Sequence, residues 1–515
     1  MPATTQSKSN KANAVSVAST PRACARRQER IDPYSSTSDV CIKPNGHQIN
    51  YTSATLNANR FDISTRPWCD FHALTPLRIL VIGAGVGGLA AAIGLRMSGH
   101  IVTVFEAASD IRDVGAGIQI APNASRILER FGVLEELKKD GIMLQKLSLR
   151  RWDDDAEIGS ARLMPGVGKK YNAPLMVVHR ADLQRTLLNR ARALGVVLRT
   201  SAPVTAIAED FSPRVQLSSG EWISGDVVIA ADGIKSFTRQ EIAKKRGYHD
   251  RTISTGDAAY RIVIDESRME GDEKALALLK GEVGSRWMGP GGHIMAYPLR
   301  SHKLYNMVLI HPIRPMQQQT ESWTSCGTKT EMLKTYSGWN STVRHLLSYV
   351  PDGRVLEWTL NSHARLPSWV ENKVVLIGDA CHPMLPYVAQ GAANAIEDAG
   401  VLTVVLGLVQ STGSIDDALR AYQTVRKARG EAIQASARET QRVLHLADGT
   451  DQEERDRKIR ESTEAAVRKE IGSSEKRNPD LWSDQRWQDY MWAVDVMKEA
   501  LEGWDEILHV EQTPA

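Results

Sequence analysis

A glycine-rich turn between two short apolar runs constrains this chain more than any other feature. The first run, residues 77–82, is bounded by glycines downstream and leads into Gly83-Ala-Gly85-Val-Gly-Gly88. A helical pattern follows and stops at Gly99, and a second apolar run occupies residues 101–105. A strand, a helix and a second strand in this order predict a parallel α/β sheet with a dinucleotide-binding turn at its edge.

The glycines and a following acid account for the chemistry of this turn. Gly83 permits the tight bend, Gly85 lets the backbone approach a pyrophosphate, and Gly88 lets the helix pack closely. The helix N-terminus adds free amides and a partial positive charge. Glu106 ends the second strand, where its carboxylate can hydrogen-bond ribose hydroxyls and argues against a 2′-phosphate. These features fit NAD and FAD equally.

The composition of the chain changes along its length. Residues 1–76 are rich in Ser, Thr, Ala and Asn without apolar periodicity, which predicts a disordered extension. The start of this region contains basic but no acidic residues, a composition that mitochondrial transit peptides also have. The amphipathic pattern of those peptides is missing. Short segments with β-strand propensity then predict a sheet domain at 256–355. We place around it a discontinuous dinucleotide-binding domain, 77–255 plus 356–445, and after it a helical tail, 446–515.

Two helices are predicted near the end of the chain. One covers about residues 392–409, after an apolar strand at 374–377. The other is inferred from a stripe at alternating spacings of four and three, which lies along one face of a helix and is typical of core packing. Its members are Tyr490, Val494, Met497, Leu501 and Trp504.

Charge and cysteine content exclude several classes of function. The chain has 515 residues, with 64 Lys and Arg against 61 Asp and Glu, and no basic stripe, which argues against nucleic acid as a partner. Its apolar runs are shorter than the roughly 18 residues of a membrane span. The five cysteines show no metal-ligand spacing. We therefore expect a cytoplasmic protein without a metal, and leave open whether it forms a homodimer.

Three further segments identify a family. They are His179-Arg180-Ala-Asp-Leu-Gln, Gly225-Asp-Val-Val-Ile-Ala-Ala-Asp232-Gly233 and Gly378-Asp379-Ala-Cys-His382-Pro383. With the opening turn, and in this order, they resemble the class A flavoprotein monooxygenases, which include salicylate hydroxylase and p-hydroxybenzoate hydroxylase. The salicylate hydroxylase branch and its fungal relatives are the most similar, on Gly115-Ala-Gly117-Ile-Gln119, Tyr260-Arg261 and the segment from Gln390 to Ala399. Cys381 stands where family members usually carry alanine.

The resemblance implies a fold, a cofactor and a reaction. The fold is a Rossmann-like FAD-binding domain of the p-hydroxybenzoate hydroxylase type, with a β-sheet substrate domain and a helical C-terminus. FAD is bound, and NADH or NADPH visits as a transient co-substrate because the chain has one dinucleotide fingerprint. The reaction is hydroxylation of a small aromatic, salicylate-like or phenolic, with dioxygen through a flavin C4a-hydroperoxide.

The resemblance also assigns roles to individual residues. Asp379 is expected to hydrogen-bond the ribityl chain, Arg180 and Asp232 to contact FAD, and the helix start at Gly391 to face the flavin pyrimidine. From the sequence, Asp182 is predicted to cap a helix that begins at Leu183. The complete set of expected cofactor contacts is Gly83, Gly85, Gly88, Glu106, Gly117, Arg180, Asp232, Asp379, Gly391 and Ala392.

Three residues of the sheet segment are candidates for substrate binding and catalysis. Arg261 matches the family position of a substrate-binding arginine, suited to a carboxylate or phenolate. His293 and Tyr297 lie four residues apart on a predicted strand, so they share a face and either could act as acid or base. The alternative is that both are ordinary core or sheet-surface aromatics.

Three functions remain open at this level. The first is a salicylate-type hydroxylase. The second is a biosynthetic monooxygenase that hydroxylates, or dearomatises, a polyketide phenol. The third is a flavoprotein that oxidises NAD(P)H without hydroxylating a substrate.

Overall fold

A computed structural model describes residues 72–111, 115–313, 326–468 and 477–509. Most of the predicted N-terminal extension lies outside these residues. The strands are β1 Arg78–Ile82, β2 Ile101–Phe105, β3 Gly117–Ile120, β4 Lys146–Arg151, β5 Glu157–Arg162, β6 Met176–His179, β7 Val197–Arg199, β8 Val204–Ile207, β9 Arg214–Leu217, β10 Trp222–Ser224, β11 Val227–Ala230, β12 Thr252–Asp265, β13 Val283–Gly289, β14 Gly292–Leu299, β15 Leu304–Pro312, β16 Cys326–Thr328, β17 Arg354–His363, β18 Val370–Glu371 and β19 Val374–Leu376.

The helices alternate with these strands early in the chain and dominate its end. They are α1 Val86–Met97, α2 Pro122–Arg130, α3 Leu134–Lys138, α4 Gly166–Tyr171, α5 Arg180–Ala193, α6 Phe237–Lys245, α7 Glu273–Lys280, α8 Lys329–Thr335, α9 Ser341–Ser348, α10 Gly391–Gly407, α11 Ile415–Leu444, α12 Thr450–Arg468, α13 Gln485–Gln488, α14 Val496–Glu502 and α15 Trp504–His509. Within the described ranges, no helix combines the length and apolarity that a membrane crossing requires.

A six-stranded sheet forms the first layer, in the order β18-β19-β11-β1-β2-β7. Five of its strands are parallel, and only β18 runs against its neighbour. Ile82 pairs with Phe105 on one side and Ala230 on the other, and Ala230 pairs with Leu376. The carboxyl ends of four strands therefore meet at one edge, which is where ligands bind in sheets of this kind. The predicted α/β fold is confirmed.

An eight-stranded sheet forms the second layer, in the order β16-β17-β12-β15-β14-β13-β4-β5. It is antiparallel except where β13 runs parallel to β4. The sheet recruits β4 and β5 from an earlier part of the chain and extends into β17, so its membership is wider than residues 256–355. One face packs on a cluster that includes α7–α9 residues such as Leu279 and Leu346. The opposite face carries Ala259 and Tyr297 and looks toward the segment before α10.

Helices α1 and α10 approach each other closely beside the parallel sheet. A methyl group at Gly94 would lie 2.1 Å from Thr403 Oγ1 and 2.6 Å from Phe131. Residues 393–407 of α10 are all buried. The predicted helix at 392–409 is thus a central core element, and only its first residues are accessible.

The end of the chain differs from the continuous helix that the stripe predicted. A π-helical turn at Asp489–Ala493 ends at Val494, which is extended, and α14 starts afresh with Asp495 as its N-cap. The single-helix prediction was wrong because tertiary contacts override the local periodicity. Arg130 forms two hydrogen bonds with the Asp495 carboxylate, and Arg126 donates to the carbonyl oxygens of Trp492 and Val494.

Candidate active site

The glycine turn after β1 has the geometry that its sequence requires. Gly83 has a φ of 99°, and a methyl group there would lie 2.5 Å from the Ala231 carbonyl oxygen. A methyl group at Gly88 would lie 2.1 Å from the carbonyl oxygen of Gly83. A methyl group at Gly85 would meet no atom within 4 Å. The backbone at Gly85 therefore borders open space at the N-terminus of α1, where a pyrophosphate would be bound.

Glu106 lies directly beside this turn. Its Oε2 accepts the Ala84 N–H at 2.8 Å and its Oε1 accepts the Ala108 N–H at 2.9 Å. Each carboxylate oxygen keeps a further lone pair for a hydroxyl. The carboxylate is thus fixed by the backbone in a position suited to ribose.

Asp232 follows β11 at the same edge and has one oxygen without a partner. Its Oδ2 accepts from the Thr238 backbone N–H and hydroxyl, while its Oδ1 is buried and has no hydrogen bond to any described residue. Burial raises the pKa of Asp232, and hydrogen bonds from Ser236 and Thr238 oppose the rise. A buried oxygen in this state requires a donor, which a bound ligand can supply.

Asp379 and Arg180 lie close to each other, although they come from different sheets. Asp379 follows β19, and among the described residues no donor bonds its carboxylate. Burial raises the pKa of Asp379, while His382 and Arg180 act in the opposite direction. Arg180 donates its backbone N–H to the Ala116 carbonyl, which fixes it to the antiparallel pair of β3 and β6.

The helix after β6 begins earlier than expected. It starts at Arg180, and the His179 ring accepts the Ala181 N–H as its cap. The expectation that Asp182 caps a helix beginning at Leu183 was therefore wrong. Asp182 lies within the first turn, where its carboxylate pairs with Arg300 at 2.8 and 3.0 Å.

The start of α10 offers unblocked backbone amides. Gly391 and Ala392 are partly accessible, Gln390 makes no side-chain cap, and the first turn has no acidic residue. Open amides, the partnerless Asp232 oxygen and the free space at Gly85 all occur where FAD contacts were expected. The residues at this edge therefore fit FAD.

A buried ionic network supports this edge, and sequence reasoning did not single out its members as site residues. Glu397 accepts hydrogen bonds from Arg426 and Arg429, and Asp398 accepts from Arg426 at 2.8 Å. Asp398 also accepts from His382 at 2.6 Å and from the Gly378 backbone N–H at 2.8 Å. Burial raises the pKa of Asp398, but His382 and Arg426 outweigh it and lower the pKa to about 2. The network fixes the loop that carries Asp379.

Cys381 lies within this network and has a packing role. Its side chain is 3% exposed, and burial raises the pKa of its thiol. Cys381, His382 and Asp398 lie close enough together to resemble a metal-ligand set. Their geometry is explained without an ion, because His382 and Arg426 already occupy the carboxylate of Asp398.

A row of partly accessible side chains crosses the otherwise buried face of the eight-stranded sheet. Arg261 on β12 is in register with Val308 on β15, which is in register with Met295 on β14. All three are partly accessible, whereas Tyr297 and His293, on β14 to either side of Met295, are buried. The accessibility of this row indicates a space on this face of the sheet, where the segment before α10 also packs.

Arg261 lies in this space without a counter-ion among the residues described. Its guanidinium carbon lies 4.2 Å from the centroid of the Trp358 ring, and its Nε is buried without a hydrogen-bond partner. Burial and the nearby positive charge of Arg180 lower the pKa of Arg261 to about 10. Such a cation favours a bound anion.

Tyr297 and His293 lie on the same face, as their spacing predicts, but at opposite flanks of the row. Tyr297 is close enough to Arg261 for each residue to influence the pKa of the other. A methyl group at Gly117 would lie 2.5 Å from the Tyr297 ring, and the Gly117 N–H donates to Asn306 Oδ1. Gly117 therefore permits the close approach of the β3–β6 strand pair to the eight-stranded sheet. His293 instead pairs with His445, 2.8 Å away.

Comparisons with known proteins agree with this geometry. The model of the FAD binding domain family matches residues 77–437. The chain belongs to this family. It is 37% identical over 395 residues to FAD-dependent monooxygenase atnJ of Arthrinium sp, which covers 76% of this chain and 90% of that protein. It is 34% identical over 375 residues to 3-hydroxybenzoate 6-hydroxylase 1 of Aquipseudomonas alcaligenes, covering 72% of this chain and 90% of that protein.

A solved structure extends the similarity to the whole fold. A salicylate hydroxylase substrate complex matches with a TM-score of 0.66 and 25% identity, covering 85% of this chain and 99% of that one. The predicted resemblance is confirmed: the chain is a class A FAD-dependent aromatic monooxygenase. Its cofactor is FAD, and NAD(P)H is the reductant typical of the family.

Proposed function

We propose that this monooxygenase hydroxylates a small aromatic substrate that carries a carboxylate or phenolate, and that Arg261 anchors this anion. The observation that carries the proposal is a contrast within one row of the sheet. Arg286, in register with Met295, is neutralised by Asp480 at 2.9 and 3.0 Å. Arg261, three strands away, has no carboxylate partner among the described residues, and Arg180 adds to the local positive charge. Binding an anion would remove this imbalance.

The neighbours of Arg261 suit an aromatic acid. Trp358 packs against the guanidinium and would hold its plane for a two-point contact with a carboxylate. Val308 and Met295 offer an apolar floor for a ring. The segment before α10 packs opposite with Leu385 and Val388 and would exclude water from the space. FAD, when bound and reduced, supplies the chemistry that activates dioxygen.

The chemistry of two relatives supports this substrate class. 3-Hydroxybenzoate and salicylate, which appear in their names, each combine a carboxylate with a phenolic hydroxyl. An aromatic ring becomes more electron-rich when its hydroxyl loses a proton. A base near the hydroxyl therefore assists hydroxylation of the ring. We assign this role to His293, because it flanks the row, and assign Tyr297 to a position beside the anion bound at Arg261.

The test combines a substrate screen with one substitution. Wild-type protein is offered hydroxybenzoates, including salicylate, and NAD(P)H consumption and product mass are measured. We expect one added oxygen per NAD(P)H consumed. Hydrogen peroxide with no hydroxylated product for any compound would contradict the proposal and favour an oxidase.

In Arg261→Met, we expect the affinity for the aromatic acid to fall by roughly 30-fold or more, because a charged hydrogen-bonded partner is lost. The matched control is Arg214→Met, which removes another arginine stacked on a tryptophan, Trp222, in the three-stranded sheet. Binding is measured by the change in flavin absorbance on titration. Equal affinity of Arg261→Met and wild type would eliminate Arg261 as the anchor.

A further inference from the structure

Four side chains from four different elements, three of them buried and one almost buried, meet beside the row that contains Arg261 and Met295. Asp257 comes from β12, His293 from β14, Tyr387 from the turn before α10, and His445 from the end of α11. Asp257, His293 and Tyr387 are all at most 5% exposed. Ionisable groups at such burial require a specific arrangement of protons.

The contacts link the four groups into one chain. His293 Nδ1 lies 2.8 Å from His445 Nε2, and His445 Nδ1 lies 3.5 Å from Asp257 Oδ2. The Tyr387 hydroxyl donates to the same Asp257 oxygen, as does Gln441. The His293 ring centroid lies 5.4 Å from that of Tyr387, which completes the cluster.

The surroundings keep both imidazoles neutral at pH 7. His293 is faced by His445 from α11, by Tyr387 and by Arg286 from β13. Burial, and to a lesser extent the positive charge of Arg286, lowers the pKa of His293, and burial lowers the pKa of His445 to about 4. Each ring therefore carries one proton, on one of its two nitrogens.

We assign the position of each proton from the location of Asp257, the carboxylate that faces His445. Its Oδ2 accepts from Tyr387 and Gln441, and this acceptor favours a proton on the nearest nitrogen, His445 Nδ1. His445 Nε2 is then an acceptor, so the proton between the rings belongs to His293 Nδ1. The lone pair of His293 is left on Nε2, which makes no hydrogen bond within the described part of the chain.

We propose that Asp257 and His445 are positioning residues that hold His293 as a base, with its Nε2 lone pair available to the hydroxyl of a bound phenol. This inference rests on the proposed function. In the step, the substrate O–H bond breaks, the proton moves to His293 Nε2, and the oxygen keeps the electron pair as a phenolate. The resulting imidazolium is stabilised through His445 by Asp257. The proton returns when the product oxygen is reprotonated.

The test measures the ionisation of a bound ligand rather than turnover. The holoenzyme is titrated with 3-hydroxy-4-nitrobenzoate, whose phenolate is yellow, across a range of pH. We expect wild type to lower the pKa of the bound phenol. Asp257→Asn and His445→Gln should each raise that pKa by about 1 or more, a tenfold change in the ionisation equilibrium. Affinity for the O-methyl ether, which cannot ionise, should not change.

The control and the contradicting outcomes separate this inference from the proposed function. His345→Gln removes another histidine paired with a carboxylate, that of Asp272, on the opposite side of the sheet, and should leave the bound phenol unaffected. If Asp257→Asn loses its flavin, His445→Gln decides the test. If the bound phenol has the same pKa in both variants as in wild type, this inference is wrong and the proposed function is unaffected. Failure of wild type to bind any hydroxybenzoate would overturn the proposed function as well.

Discussion

Two carboxylates in an otherwise apolar helix, Glu397 and Asp398, connect the flavin side of the site to the core. Both are fully buried, and burying a charge is costly unless it is paired and hydrogen-bonded. Arg426 donates to both, so each carboxylate depends on a guanidinium that the other also holds. Loss of one member therefore leaves the others with uncompensated buried charge.

We expect Glu397→Gln to destabilise the protein by about 3 to 5 kcal/mol, because two buried arginines lose the negative charge of Glu397 and face an amide NH2 in place of one acceptor oxygen. Urea unfolding measures the loss, and flavin absorbance after purification measures whether the edge still holds FAD. Glu439→Gln is the matched control, since Glu439 pairs with Arg442 on the exposed side of α11. A stability loss below about 1 kcal/mol, the usual limit for a surface pair, would show that the network is not required.

Some site residues could be predicted because local geometry alone requires them. Gly83 and Gly88 have no space for a side chain, and a strand, a turn and a helix already imply that restriction. His445 could not be predicted in this way. It lies 152 residues from His293, belongs to no motif, and reaches the site only because α11 ends beside β14. The acid pair in the apolar sequence of α10 was a usable signal for the buried network.

At the level of elements, periodicity predicted buried residues better than it predicted a continuous helix. Met497 and Trp504 are buried as the stripe requires, but the helix breaks between them and Tyr490. At the break, Asp495 becomes the N-cap of α14 and pairs with Arg130 on α2. A stripe of apolar residues cannot reveal a partner on another helix, so the interruption was not predictable from spacing.

We expect Asp495→Ala to cost about 2 kcal/mol or more, because it removes a helix cap and leaves the buried guanidinium of Arg130 without its carboxylate. Thermal unfolding and limited proteolysis at the C-terminus report the effect. The control is Glu502→Ala, whose partner Lys498 is more than half exposed. Equal unfolding of the two variants would contradict a structural role for the Asp495 pair.

For the whole molecule, buried neutral histidines make stability depend on pH. Burial lowers the pKa of His100 and of His445 to about 4. The unfolded chain, with ordinary histidine pKa values near 6.5, therefore takes up protons first as the pH falls. Each histidine should reduce the free energy of unfolding by about 1.4 kcal/mol per pH unit between roughly pH 6.5 and 4.

This prediction is checked by urea unfolding at several pH values. His100→Asn should flatten the profile between pH 6.5 and 4, since an amide can still accept from the Leu77 N–H without titrating. A second loss of stability is expected below about pH 4, where Asp398 begins to protonate in the unfolded chain while its folded pKa is about 2. A profile for His100→Asn that matches wild type would contradict the first assignment.

The attachment of the C-terminal segment has a consequence for how this region can vary. Arg429 donates to the carbonyl oxygens of Tyr490 and Met491, and Arg126 to those of Trp492 and Val494. Every residue type carries a backbone carbonyl. The exposed Ala493 can therefore be replaced by many residue types without loss of these hydrogen bonds. Insertion or deletion of a single residue there would change the spacing between these carbonyl oxygens, which the two arginines bind together. We expect natural variation in this stretch to preserve its length more strictly than its sequence.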